Sequence, residues 1–260
     1  MSKVIGRWTA EEFFAGSRPP TDDEVPTTLD DTRLDTPEKL IKNLAEDFPK
    51  FKHTQPMPLE LDWTTLEIFR AACRKRDCAF GVSISYPGLH MWNSYVNGGI
   101  ETLAYAAMDT PQILDEWCEL DLERGTRMMA LALQADLDYI LFGGSGTITL
   151  ASPALARKYA IPALKKWSAM AREAGVPTML HSCGKNRVLA DMLVAETDIG
   201  MLNPLEVPPA GDIDLAELKR VHGRHLALMG NLHTTDVMLN GTPEEVTRKA
   251  VAAMRDAGPG

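Results

Sequence analysis

Short apolar runs with little polar alternation recur along the chain: Ala79–Tyr86 (AFGVSISY), Asp138–Phe142 (DYILF), Thr178–Leu180, Ile199–Leu202 and Leu226–Met229. Runs this short, bounded by Gly, Pro and Asn, predict strands covered on both faces. Between them the apolar positions take helical spacing, over about 98–108, 111–135, 152–174, 187–196, 213–222 and 242–257. Four helix starts share one chemistry: Thr36-Pro37, Thr110-Pro111, Ser152-Pro153 and Thr242-Pro243. In each, a hydroxyl can cap exposed N–H groups, and proline at the first helical position lacks the N–H that would go unpaired. Glu245, three residues after Thr242, predicts a capping box. From Asp138 onward the order is β-α-β-α-β-α-β-α, which predicts a parallel α/β sheet with right-handed crossovers. Ahead of it, Arg18-Pro19-Pro20 and Asp22-Asp23-Glu24 break any period. Residues 1–35 are therefore expected to form an irregular arm and residues 36–260 the α/β domain.

Composition narrows the partners. With 27 basic against 36 acidic residues, a net charge of −9 offers no concentrated basic face for a nucleic acid. The one basic run, Arg74-Lys75-Arg76, is followed by Asp77 and reads as a solvated helix end. No apolar stretch reaches the length of a membrane span. Glu11 and Glu12 occupy the place where a signal peptide needs its apolar segment. The 4 cysteines (73, 78, 118 and 183) do not read as a disulfide framework, so a reducing cytoplasm is expected. Homo-oligomerisation is left open.

The chemistry gathers behind the strands. After 138–142 comes Gly143-Gly144-Ser145-Gly146, and after 178–180 comes His181-Ser182-Cys183-Gly184. Ile199–Leu202 is followed by Asn203-Pro204-Leu205-Glu206, and Leu226–Met229 by Gly230-Asn231-Leu232-His233. Parallel strands end on one side, where α/β enzymes build their sites. Ser145, His181, Cys183, Glu206, Asn231 and His233 are thus candidates for one concave region. Turn formation accounts for the glycines, but not for His, Cys and Glu recurring at the same topological place. His181 and Cys183, at i and i+2 on an extended strand end, project to the same side. With Glu206 they make a nitrogen, sulfur and oxygen set suited to an open zinc site, the fourth position being left for substrate. Asn231 and His233 are candidate contacts around it, or shape a loop. Trp92 and Asn97, behind the first strand, are candidates for lining a pocket for an apolar ring, with ordinary loop packing as the alternative.

The stretches GGSGTITLASP (143–153), GVPTMLHSCGK (175–185), LNPLEVPPAGDIDLAELK (202–219) and ALMGNLHTTDVMLNGTPEEV (227–246) resemble the uroporphyrinogen decarboxylase superfamily, in its zinc- and corrinoid-dependent methyltransferase branch. The resemblance implies a (β/α)8 barrel of the TIM type. It also implies that His181 and Cys183 stand at the H-x-C zinc motif and Glu206 at a nearby carboxylate. The implied activity moves a methyl group between a corrinoid and a small molecule, a thiol or a methoxylated compound. Glu206 and Asn231 are the expected catalytic residues; Ser145, Trp92, Asn97 and His233 are the expected substrate contacts. Zn2+ and a corrinoid are the implied cofactors. No DxHxxG segment occurs among the 6 histidines, so the corrinoid is expected on a separate protein or as free cofactor.

Two departures qualify the resemblance. The arginine-rich N-terminal motif and early aspartate of the porphyrinogen decarboxylases have no counterpart here. The thiol-methylating members also take a further cysteine ligand from beyond a glycine-rich stretch, whereas this chain ends at Gly258-Pro259-Gly260. Five strands against the eight of a barrel leave two expectations: strands hidden in the N-terminal half, or an abbreviated barrel. The alternative functions are a metal-independent decarboxylase or lyase, with Lys185 and Arg187 holding a carboxylate, and a degenerate, non-enzymatic barrel.

Overall fold

Strands form on all five predicted runs: β1 (Gly81–Ser85), β2 (Tyr139–Gly143), β3 (Thr178–His181), β4 (Met201–Asn203) and β5 (Ala227–Leu228). The structure, a computed structural model, describes residues 36–54 and 61–258; the arm expected over residues 1–35 lies outside the described residues. Each strand pairs in parallel with the next, in the order β1-β2-β3-β4-β5. Spatial order equal to chain order is the wall of a β/α barrel, since a doubly wound sheet reverses direction at a switch point. The fold is α/β of the (β/α)8-barrel type, and the described residues contribute five strands.

The helices are α1 (Pro37–Thr54), α2 (Trp63–Lys75), α3 (Leu89–Trp92), α4 (Gly99–Asp109), α5 (Pro111–Ala132), α6 (Pro153–Tyr159), α7 (Ile161–Glu173), α8 (Arg187–Glu196), α9 (Leu215–His222) and α10 (Pro243–Ala257). A π-helical segment, Thr234–Leu239, precedes α10. Ser152 Oγ accepts from Leu155 N at 3.2 Å, Thr242 Oγ1 from Glu245 N at 3.3 Å and Thr36 Oγ1 from Lys39 N at 3.4 Å, as the helix starts predict. Thr110 departs from the pattern: its hydroxyl caps nothing and is buried without a partner. The capping box forms by half, because the Glu245 carboxylate turns to Arg248. The single helix expected over 152–174 is two, α6 and α7, meeting at Ala160. Pro162 explains the break, since it offers no N–H and its ring crowds the carbonyl four residues back.

Parity along the strands decides the geometry. Ile84, Phe142, Leu180 and Leu202 stand in register across the sheet, all buried, and face the helices. Trp167 of α7, with 0% of its surface exposed, packs on Phe142 at 6.1 Å between ring centroids. The opposite row, Leu141, Met179 and Met201, is only half-buried, and Ser83 is exposed. This corrects the expectation of strands covered on both faces: the inner face of the sheet remains partly open. Its apolar side chains are the reason the two faces read alike in sequence.

A second, helical cluster stands beside the sheet core. Trp92 (1% exposed) stacks on Trp117 at 5.1 Å and meets Tyr159 edge-on at 5.4 Å, with Leu89, Leu103 and Leu114 around them. The basic run ends α2, as expected, but Arg74 is more than solvated. It bonds Asp138 at 2.7 Å, and Asp138 in turn accepts from Phe80 N at 2.6 Å, tying the helix end to the entry of β1 and β2.

Candidate functional site

The inner-facing layer at the carboxyl end of the sheet reads Ser85, Gly143, His181, Asn203 across four strands. Sheet hydrogen bonds continue past β3, with Gly144 N donating to His181 O at 3.2 Å and Gly146 N to Cys183 O at 3.1 Å. The extended backbone therefore persists to Cys183, which places its thiol on the same side as the His181 ring. Cys183 Sγ lies 3.2 Å from His181 Nε2, and Ser145 Oγ lies 3.5 Å from the same sulfur. The intervening Ser182 points the other way, where its hydroxyl donates to Thr147 Oγ1 at 3.0 Å.

Asn203 fixes the imidazole. Its Oδ1 lies 2.6 Å from His181 Nδ1, while its Nδ2 donates to Met229 O at 3.3 Å. With the amide group oriented by Met229, Nδ1 carries the proton and the Nε2 lone pair faces the thiol. That is how metal-binding histidines are commonly held. A tetrahedral zinc with its nitrogen at about 2.0 Å and sulfur at about 2.3 Å separates those donors by roughly 3.5 Å. At 3.2 Å the pair needs little adjustment to fit.

Glu206 is not gathered to the pair. Its Oε2 accepts from the backbone N–H of Gly184, stapling the loop after β4 to the loop after β3. Among the described residues, no three His, Cys, Asp or Glu side chains converge in an arrangement that could hold a metal ion. Asn231 and His233 stand apart as well, lining a cavity of about 270 Å³ against Ile213 and Lys249. His233 Nδ1 accepts from Asp236 N at 2.9 Å, capping the π-helical segment. Asn97 sits on the turn before α4, where its carbonyl accepts from Thr102 Oγ1 at 2.6 Å. Trp92 packs on its aromatic neighbours, with its Nε1 donating to Asp121 at 2.7 Å, and also lines a cavity beside β1, away from the His181–Cys183 pair. Of the residues proposed as carboxylate holders, Arg187 pairs with Glu217 at 3.2 Å and Lys185 is exposed.

Two groups that sequence reasoning missed lie beside the pair. Tyr86 OH bonds Thr147 Oγ1 at 2.6 Å, completing a buried chain of hydroxyls to Ser182; burial holds the phenol protonated. His90 (7% exposed) packs against Tyr86 with the rings tilted, 4.6 Å between centroids, and its Nε2 is buried without a partner. The ring fits because Gly144 has no side chain: a Cβ there would come within 2.6 Å of Nε2. Burial pushes His90 from 6.5 down to about 4. The unfolded chain therefore binds this proton first, so stability is full above about pH 6.5 and falls as the pH drops towards 4. About 2 kcal/mol should be lost between pH 7 and 5. Urea midpoints at the two pH values should converge in a His90→Leu variant. An unchanged difference would assign the acid sensitivity to other groups.

The profile of the uroporphyrinogen decarboxylase family matches residues 93–260. The chain belongs to that family. Among solved structures, a methyltransferase from Methanosarcina mazei matches with a TM-score of 0.58 at 20% identity, over 74% of this chain and 54% of that one. The likeness shows the shared fold, and this chain spans about half the relative's length. The apo form of a 3-keto-D-glucoside 4-epimerase from E. coli matches at 13% identity over 82% and 94% of the two chains, with a TM-score of 0.32. No curated protein matches the chain. No helix among the described residues is long and apolar enough to cross a membrane.

Proposed function

We propose that the chain is a zinc-dependent methyltransferase. It moves a methyl group between a small molecule, a thiol or a methoxylated compound, and a corrinoid that is free or carried by a separate protein. The observation that carries this reading is the His181–Cys183 pair, an imidazole lone pair and a thiol directed at one another at the sheet's carboxyl end. A nitrogen and a sulfur donor suit zinc better than magnesium or calcium, which take oxygen ligands. Bound there, zinc would supply Lewis acidity to the substrate heteroatom.

The chain's own groups have definable parts in this reading. Asn203 holds the Nδ1 proton of His181 and keeps Nε2 available. Cys183 would hold the metal as a thiolate, giving up its proton. Ser145, beside the sulfur, can donate a hydrogen bond to the thiolate or to the incoming substrate atom. Glu206 is proposed as the third ligand and would have to leave Gly184 N to act as one.

Methylcobalamin and a small thiol, mixed with the zinc-loaded chain, provide the test. Loss of the methyl–cobalt absorbance and formation of the thioether are expected. If neither thiols nor methoxylated aromatics are turned over against either corrinoid state, the proposal fails.

A further inference from the structure

A cavity of about 370 Å³ lies beside β1, between the strand and α5, and takes in Trp92, one of the residues expected to line a pocket. Its walls include Trp92, Trp117, Tyr95, Met91 and Met128, flat or flexible apolar groups suited to a planar body. Ser83 and Ser85 of β1 and the charged pair Asp121 and Arg124 of α5 supply the polar atoms. Tyr86 also borders it, at the end of the hydroxyl chain that runs to Ser182 beside Cys183. Ser85 lies in the same inner layer as His181.

Arg124 is the unusual member. Its Nε is buried and has no hydrogen-bond partner. Among the described residues, no carboxylate lies within ion-pair range of its guanidinium. Asp121, three residues earlier on the same helix, interacts with it electrostatically but not at contact; its carboxylate accepts the Trp92 indole N–H at 2.7 Å. Arg124 as a whole is half-buried, so it is the Nε–H alone that bears the cost of an unmade bond to a charged group. Two other partly exposed arginines near the sheet do have carboxylate partners: Arg74 holds Asp138 and Arg187 holds Glu217. A planar fork left open in an aromatic-walled cavity is matched by an anion with two oxygens to offer.

We infer that this cavity binds a small, flat, apolar molecule bearing one anionic group, with the anion on Arg124 and the ring among Trp92, Tyr95 and Trp117. As the place where the methyl-transfer substrate is held, the assignment rests on the reading above. As an anion site it stands without it. Carboxylate, sulfonate and phosphate share the required chemistry.

Calorimetric titration with benzoate, benzenesulfonate and phenyl phosphate, against methyl benzoate as the neutral shape, separates the sources. At least one acid should bind at millimolar concentration, and methyl benzoate should bind at least about ten-fold more weakly than that acid. Arg124→Met should lose a similar factor while far-UV dichroism and the melting temperature stay at the parent values. Asp121→Asn, which keeps an acceptor for Trp92 and removes a competing negative charge, should bind the acid more tightly. A His181→Ala, Cys183→Ala variant should keep the anion affinity even when its zinc is gone. That arm distinguishes failure of this site from failure of the metal site. Equal binding of acid and ester, no binding by any of the three acids, or full affinity in a folded Arg124→Met variant would each overturn the assignment.

Discussion

A His181→Ala, Cys183→Ala double variant is expected to purify without zinc, where the parent chain carries about one equivalent. Two of the proposed ligands go at once, and a single remaining carboxylate cannot retain zinc against buffer. The loss is read by metal analysis and needs no activity. Both side chains are only half-buried and stand on the open inner face of the sheet, so the apolar core is untouched. The apo parent and the double variant should therefore melt together. Only the parent should then gain stability on adding zinc, by about 2.7 kcal/mol at a hundred-fold excess over its dissociation constant. Asn203→Leu should leave the ligands in place but release the ring, weakening zinc binding about 10- to 100-fold. Glu206→Gln separates two parts for that side chain. The amide oxygen can still accept from Gly184 N, so a purely stapling residue would leave zinc affinity unchanged, whereas a ligand would lose it. A parent chain that neither carries zinc nor takes it up would end the proposal.

The pair was legible from the sequence because strand parity is local: i and i+2 share a side wherever the backbone stays extended. Glu206 was less legible. Its partner is a backbone N–H in another loop, and no spacing announces which way that loop turns. Asn231 and His233 follow β5 as Cys183 follows β3, yet β5 has only two residues and the segment after it runs to the helical layer. Trp92 follows β1 in the same way and lines the cavity beside that strand, but its packing on Trp117 and Tyr159, both distant in sequence, was not legible. The five strands were readable since their helix-facing rows are apolar. The open face was not, because Leu141, Met179 and Met201 make both faces look the same. Arg124 was hidden by Asp121, which suggests an ordinary pair one helical turn away. The available signal was their position on α5, on one face with Trp117 and Met128.

Trp167→Ala is expected to have the largest effect on stability, about 3–5 kcal/mol, measured from urea denaturation of the metal-free chain. The indole is fully buried between the sheet, where it meets Phe142, and α5, where its Nε1 donates to Thr126 Oγ1 at 3.1 Å. Thr126 donates its own proton to Leu122 O at 2.6 Å, so removing the indole leaves no hydroxyl proton stranded. The cost is thus cavity and lost transfer energy rather than a broken network. The helices approach closely because residue 125 is glycine: a Cβ there would lie 2.0 Å from Trp167 Cζ2. Gly125→Ala must displace the ring or part α5 from α7, which should cost about 1–3 kcal/mol. The two effects cannot add, since the clash exists only while the ring is present. In a Trp167→Ala background the same alanine has room, and its higher helix propensity should make it neutral to slightly stabilising. An equal cost for Gly125→Ala in both backgrounds would show that the glycine serves something other than the approach of these two helices.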